Sequence, residues 1–166
     1  MAKYSQYRQT SCDTRGQNDC KQPQKGETMI SHFDDLLLAA RAQPLPQRLL
    51  LIFAGAELPA DADAEQRARF DAGEGGALVP LMCVDKRPDD VTSFAQLCTE
   101  ADGMHSGWRV VLAGALSGTV SEPPSDKTVD QAFERLLGLI QAGQMDQVLA
   151  QTLAFTRDGA AVSLQA

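Results

Sequence analysis

Polar and charged side chains follow three apolar runs of this sequence, at the points where the runs end. Asp85 and Lys86 come directly after the run 77–84, Glu57 follows the run 49–54, and Ser117 follows the run 108–116. If these runs are parallel strands, their carboxyl ends meet at one edge of the sheet, where open α/β proteins bind ligands. The spacing therefore predicts that these side chains converge in one strand-end site.

The chemistry expected of such a site is binding rather than covalent catalysis. A lysine flanked by carboxylates is held in its charged form, which disfavours a nucleophilic amine and favours an anionic or sugar-like ligand. His105, in the polar loop 104–107, is the candidate general base. The alternative interpretation is a solvated loop whose charges pair locally and contribute little stability, with His105 as an ordinary surface side chain.

Other patterns that resemble catalytic motifs lack a required feature. Ser117 has Ala115 and Thr119 where a nucleophile elbow needs glycines. The glycine-rich segment 73–76 precedes a strand, whereas a phosphate loop joins a strand to a helix N-terminus. No C-x-x-C pair occurs among the four cysteines, and neither histidine has a second ligand at metal-binding spacing. We therefore expect no catalytic residue, no metal and no cofactor.

Composition and charge narrow the classes of function. The chain has 166 residues, a formal net charge of −7 and 43% hydrophobic residues, which is typical of a folded globular protein. The acidic balance argues against nucleic acid or a membrane surface as a partner, and favours a protein partner with a basic surface. No apolar run approaches the ~18 residues of a transmembrane helix, and no secretion signal is evident. We therefore expect a cytoplasmic protein with reduced thiols.

Residues 1–28 differ in composition from the rest of the chain. They contain no Leu, Ile, Val or Phe, and their charges sum to +2 (5 basic, 3 acidic), whereas those from Met29 onward sum to −9 (10 basic, 19 acidic). Such a segment buries too little apolar surface to offset the entropy of ordering, so a disordered polar tail is predicted. A second interpretation takes Met29 as the native start and residues 1–28 as a translated leader, because codons for Lys25-Gly26-Glu27 can spell a purine-rich ribosome-binding tract.

Residues 29–166 are predicted to form a single α/β domain with a mixed sheet of about five strands and about four helices. Ser31 is the expected N-cap of the first helix, and Asp63 with Gln66 is the expected capping box of the second. Helix-bearing connections favour a largely parallel arrangement of the first three strands. Pro80 places the second strand at an edge or at a bulge.

The end of the chain predicts an antiparallel hairpin. Apolar residues alternate on both sides of Asp158-Gly159, a sequence typical of a two-residue turn. That turn would set Phe155 opposite Val162 and place both on one face of the sheet.

Several segments carry a family resemblance that covers about residues 29–159. They read ISHFDDLLLAARAQ, LIFAGAELP, EQRARFDAGEGGALVPLMCVDK, SFAQL and ALSG. The chain resembles a small family of bacterial proteins that often carry the label "ribonucleotide reductase subunit alpha". The catalytic subunit of that enzyme needs a C-terminal cysteine pair, and no cysteine follows Cys98 here. The resemblance therefore implies an accessory role in deoxyribonucleotide metabolism and transfers no catalytic residue.

Two hypotheses of function follow from the sequence. The first is a non-catalytic interaction or regulatory protein, and it rests on the acidic charge and on the incomplete catalytic motifs. The second is a small-ligand binder or enzyme that uses the strand-end site. The two differ in whether the strand ends come together.

Overall fold

The computed structural model describes residues 29–164, which form five α-helices and five strands. In chain order these are α1 (Phe33–Arg41), β1 (Gln47–Glu57), α2 (Ala64–Asp71), β2 (Ala77–Lys86), α3 (Phe94–Met104), β3 (Val110–Ser117), α4 (Asp126–Gln141), α5 (Met145–Leu149), β4 (Leu153–Thr156) and β5 (Ala161–Val162), with a short 3-10 turn (Pro88–Asp90) between β2 and α3. Residues 1–28, and with them the predicted tail, lie outside the described part.

The strands form one sheet in the order β2-β1-β3-β4-β5, and every neighbouring pair is antiparallel. The predicted α/β class and the number of strands are confirmed, but the expected parallel pairing of the first three strands is wrong. Helix α2 has no buried residue, and Ala62 just before it is buried. Because α2 does not pack on the sheet, this connection does not cross the sheet, and β2 lies next to β1 as in a hairpin. The α3 connection does cross the sheet, because it passes over β1 and delivers β3 to the other side.

Helices cover both faces of the sheet and enclose two hydrophobic clusters. On one face α1 and α3 pack against the odd-numbered residues of β1, together with Trp108, Val111 and Phe155. On the other face α4 and α5 pack against Leu50 and Ile52, together with Leu112 and Ala154. The predicted apolar run of β1 is thus buried on both faces, since residues 49–54 are all buried.

Local sequence signals account for how the helices start. Asp63 caps α2 and forms the predicted reciprocal box with Gln66. The cap of α1 is His32 rather than the predicted Ser31, and its partner in the box is Asp35. The helix is therefore shifted by one residue relative to the expectation. The predicted inner face of α1 is nevertheless buried, at Phe33, Leu36, Leu37 and Ala40.

The C-terminal hairpin has a longer loop than predicted. Thr156 N–H donates to Ala160 C=O at 3.0 Å, and Arg157, Asp158 and Gly159 lie between them. Phe155 therefore pairs with Ala161 and Ala154 pairs with Val162. The predicted pairing of Phe155 with Val162 is wrong by one residue, and the two side chains join opposite clusters.

The two edges of the sheet differ. Strand β2 is an edge strand and also has a bulge, since Phe53 pairs with Met82 whereas Ala54 pairs with Pro80. The edge position and the bulge, which the sequence predicted from Pro80 as alternatives, are thus both present. At the opposite edge, Ala161 N–H donates to Ser31 C=O at 2.8 Å and His32 bridges to Ala160, so the segment before α1 covers β5.

Candidate functional site

The antiparallel order separates the residues that the sequence placed in one site. Lys86 pairs with Leu49 and Ser117 pairs with Gln47, so the ends of β2 and β3 lie beside the beginning of β1. Glu57 pairs with Ala77 at the other end of the sheet. The expected convergence is therefore wrong: Asp85, Lys86 and Ser117 share one end, and Glu57 lies at the other.

At the first end, Asp85 is taken up by an internal ion-pair cluster. Arg48 Nε lies 2.5 Å from Asp85 Oδ2, Arg48 Nη1 lies 2.8 Å from Asp126 Oδ1, and the same nitrogen donates to Pro124 C=O at 3.2 Å. The hydrogen bonds to Asp85 and Asp126 raise the pKa of Arg48 above its usual range. This cluster ties β1 and β2 to the N-terminus of α4, so Asp85 has a structural partner for its charge.

Lys86 and Ser117 lie at the same end, and each has a partner of its own. Lys86 Nζ donates to Glu100 Oε2 of α3 at 2.9 Å. Gln47, which is buried, donates through Nε2 to Ser117 Oγ at 2.9 Å. A hydroxyl held by an amide, with no base as its partner, is not an activated nucleophile.

His105 is the C-cap residue of α3, and like Glu57 it is exposed at the other end of the sheet. Its Nδ1 accepts a hydrogen bond from Gly107 N–H at 3.1 Å, which shapes the loop before β3. The described structure thus supplies no carboxylate or hydroxyl partner for His105, and its role as a general base stays a prediction.

A polar cluster that the sequence analysis missed surrounds Trp108. Arg157 lies over the indole ring, with Cζ 4.4 Å from its centroid, and contacts both carboxylate oxygens of Asp102 at 2.7 and 2.8 Å. Trp108 Nε1 donates to Asp102 Oδ1 at 3.0 Å. These groups are far apart in sequence. The one signal available was the presence of an arginine and a tryptophan, residue types that form cation–π contacts. Because Arg157, Asp102 and Trp108 are one another's partners, the cluster fixes the hairpin loop to α3.

The remaining nucleophile close to this cluster is the thiol of Cys98. Its Sγ lies 3.7 Å from Arg157 C=O, and burial raises the pKa of the thiol. A raised pKa reduces the thiolate fraction, so Cys98 is not an activated cysteine. In residues 29–164 no group of three or more His, Cys, Asp or Glu side chains is placed to hold a metal ion.

The most distinctive surface feature is the segment 55–79, which we call the arm. The β1–β3 pairing ends at Ala54, whereas the β1–β2 pairing continues to Glu57. Helix α2 belongs to the connection from β1 to β2. No residue of α2 itself is buried. The helix is held by its capping box and by Phe70, which packs against Gly76 and lies 5.3 Å below the Arg109 guanidinium.

The arm carries an excess of unpaired negative charge. It contains six acidic and two basic residues, a net charge of −4. Within residues 29–164, the acidic residues of the arm form no ion pair at 4.0 Å or less. Some carboxylates elsewhere in the described residues, such as Asp85, Glu100 and Asp102, are paired internally, whereas others, such as Asp130 and Glu134 on α4, are not. The arm therefore presents carboxylates that have no charged partner among the described residues, and of these Asp63 caps α2.

None of the described helices is long and apolar enough to cross a membrane. Comparisons of the chain with protein-family models, with curated proteins and with solved structures found no match. The resemblance to the bacterial family labelled as a reductase subunit, and the accessory role it implies, therefore stay predictions.

Proposed function

We propose that this protein is a non-catalytic interaction or regulatory protein that binds a partner with a basic surface through its arm. The observation that carries the proposal is the α2 helix, which is folded and capped but buries no residue. A helix with so little apolar surface is expected where it bridges to another surface or is held by local pairs. In the arm, the local support is the capping box, the contacts of Phe70 and a hydrogen bond from Arg67 Nε to Ala62 C=O at 3.2 Å.

The charge of the arm indicates the chemistry of the partner. Unpaired carboxylates on an exposed helix attract a basic surface over about one Debye length, which raises the rate of encounter and makes it dependent on salt. The candidate site residues at the strand ends do not favour the enzyme alternative, because Asp85 and Lys86 are already in ion pairs.

The proposal is tested by capture from the native host with the tagged full chain and two matched variants. The arm variant carries Asp61→Asn, Glu65→Gln and Glu74→Gln, which leaves the cap at Asp63 intact. The control removes the same number of charges from α4 and α5, with Asp130→Asn, Glu134→Gln and Asp146→Asn, all exposed residues outside the arm.

We expect the wild type and the control to retain a basic protein that the arm variant loses, and we expect added salt to weaken the capture. Equal capture by the arm variant and the control would refute the role of the arm. A wild-type chain that returns alone under several growth conditions would refute the interaction function itself.

A further inference from the structure

The outer edge of β2 is the one long strand edge that no described residue covers. It runs over ten residues, from Ala77 to Lys86, whereas β5 has two residues and is covered by the segment at Ser31. An edge strand presents unpaired N–H and C=O groups that can pair with another chain. Several of its apolar side chains, including Leu78, Val79 and Leu81, are half-exposed.

Two hydrogen bonds show which backbone groups of β1 face β3 rather than β2. Gly118 N–H donates to Pro46 C=O at 2.8 Å, and Arg109 N–H donates to Ala54 C=O at 2.8 Å. Because N–H and C=O directions alternate along a strand, even-numbered residues of β1 face β3 and odd-numbered residues face β2. The partners of the odd-numbered residues on β2 therefore direct their backbone groups inward.

The other residues of β2 direct their backbone N–H and C=O groups outward, away from β1. After the bulge, Met82 and Val84 pair with Phe53 and Leu51, so Cys83 and Asp85 face outward. Before the bulge, Val79 pairs with Gly55, so the residues on either side of it, Leu78 and Pro80, face outward. The outward residues are placed symmetrically about the bulge at Leu81 and Met82.

We propose that β2 pairs antiparallel with β2 of a second copy of this chain, with the two-fold axis passing through the bulge. In this register Leu78 lies opposite Asp85 of the other copy, and Pro80 lies opposite Cys83. Every outward residue then meets an outward residue, which is the condition for main-chain hydrogen bonds across the interface. Pro80 supplies a carbonyl but no N–H, so the pairing lacks that donor.

The charges at the two ends of β2 complement each other in this arrangement. Arg87 is exposed and has no ion pair within residues 29–164. It lies opposite Gly76 of the other copy, two residues from Glu74 in the acidic arm. The same edge is used by both copies, so the assembly closes as a two-fold dimer. This inference does not depend on the proposed function.

The register is tested with cysteine pairs in the full chain, after Cys12, Cys20 and Cys98 are replaced by serine. Pro80→Cys places a thiol opposite the native Cys83 of the other copy. The Cα atoms of a hydrogen-bonded antiparallel pair lie about 5.5 Å apart, which is within disulfide range. The matched control carries Pro80→Cys together with Cys83→Ser, so that the new thiols have no partner across the interface.

We expect mild oxidation to crosslink the first variant into a dimer and to leave the control largely monomeric. Equal crosslinking of both would overturn the register. Sedimentation equilibrium of the wild-type full chain should give twice the chain mass of 17.9 kDa. A monomer at high micromolar concentration would overturn the proposal. So would dimerisation that occurs only after residues 1–28 are removed, because that result would assign the edge to the chain's own N-terminal segment.

Discussion

Gly159 is the residue at which the segment before α1 meets the hairpin. Its φ is +85°, and a Cβ at this position would collide with the His32 ring and would lie 2.9 Å from Phe94 Cδ1. His32 accepts a hydrogen bond from Asp34 N–H through Nδ1, and its Nε2 lies 2.9 Å from Asp158 C=O. Position 159 thus favours glycine for two reasons: its φ is positive, and the His32 ring leaves no space for a Cβ.

We expect Gly159→Asn to destabilise the fold by more than about 2 kcal/mol, because asparagine tolerates positive φ but still brings a Cβ against His32. Gly143 is the matched control, with φ +71° and nothing within 4 Å of its added Cβ. Gly143→Asn should cost less than about 1 kcal/mol. Urea unfolding of both variants checks this, and equal losses would mean that His32 does not fill the space beside Gly159.

A second residue-scale prediction concerns acid stability. Asp35 accepts hydrogen bonds from the Ser31 N–H at 3.1 Å, the Ser31 hydroxyl at 3.0 Å and the His32 N–H at 3.0 Å. These bonds, the Ser31 N–H first, lower the pKa of Asp35. An aspartate of an unfolded chain titrates near pH ~3.9, so the stabilisation is complete above about that pH and is lost as pH falls through the lower folded pKa.

Asp35→Asn should therefore lower the melting temperature at pH ~7 and flatten its decline between pH ~4 and ~2. Asp130→Asn, at an exposed position on α4, is the control and should keep the wild-type profile. Thermal unfolding followed by circular dichroism across this pH range gives the comparison. If Asp35→Asn and the wild type lose stability in parallel below pH ~4, another carboxylate governs this acid transition.

Residue-scale signals in the sequence were reliable where they were local. The periodicity of α1 identified its buried face, and Asp63 with Gln66 identified the start of α2. The hairpin register could not be predicted, because Asp-Gly fits loops of two or three residues. The choice depends on Ser31 and His32, which contact the loop from more than 120 positions away in the sequence.

At the scale of elements, α4 shows how a broad apolar stripe is divided on packing. Val129, Ala132 and Leu136 are buried against the sheet, whereas Leu137 and Ile140 on the flank of the stripe are half-buried. Helical periodicity predicts the stripe, but the sheet decides which part of it is covered.

This division predicts different effects of one substitution at adjacent leucines. Leu136→Ala should lose about 2–5 kcal/mol of unfolding free energy, the range for a buried leucine. Leu137→Ala should lose clearly less, because water already reaches part of that side chain. Chemical denaturation of the two variants measures the difference. A larger loss for Leu137→Ala would show that α4 is rotated about its axis relative to the described packing.

Strand direction is the element-scale property that the sequence could not supply. Two of the helical segments between strands differ in packing, because α3 buries Phe94, Leu97 and Ala101 whereas α2 buries nothing. A helix that packs on the sheet makes a crossover, and one that does not can stand in a hairpin connection. The available signal was the composition of α2, in which only Ala64, Ala68 and Phe70 are apolar. That composition indicates an exposed helix, but it does not give the direction of the strands that the helix joins.

At the scale of the whole molecule, the acidic side chains differ in whether a basic side chain pairs with them. Asp85, Asp126, Glu100 and Asp102 are bound to arginine or lysine, while the carboxylates of the arm have no such partner within residues 29–164. The candidate site predicted from the sequence failed for a topological reason, since one reversed strand moves Glu57 to the far end of the sheet. The arm became visible only when the end of the β1–β3 pairing was known.

The most direct test of the interaction function is amide hydrogen exchange on the full chain, alone and in complex with the partner captured from the host. The amides of α2 are exposed and carry little tertiary support, so they should exchange quickly in the free protein. We predict that the partner slows exchange chiefly within residues 55–79 and leaves α1 and α3 unchanged. Slowed exchange on the α1 and α3 face, with the arm unaffected, would contradict the account.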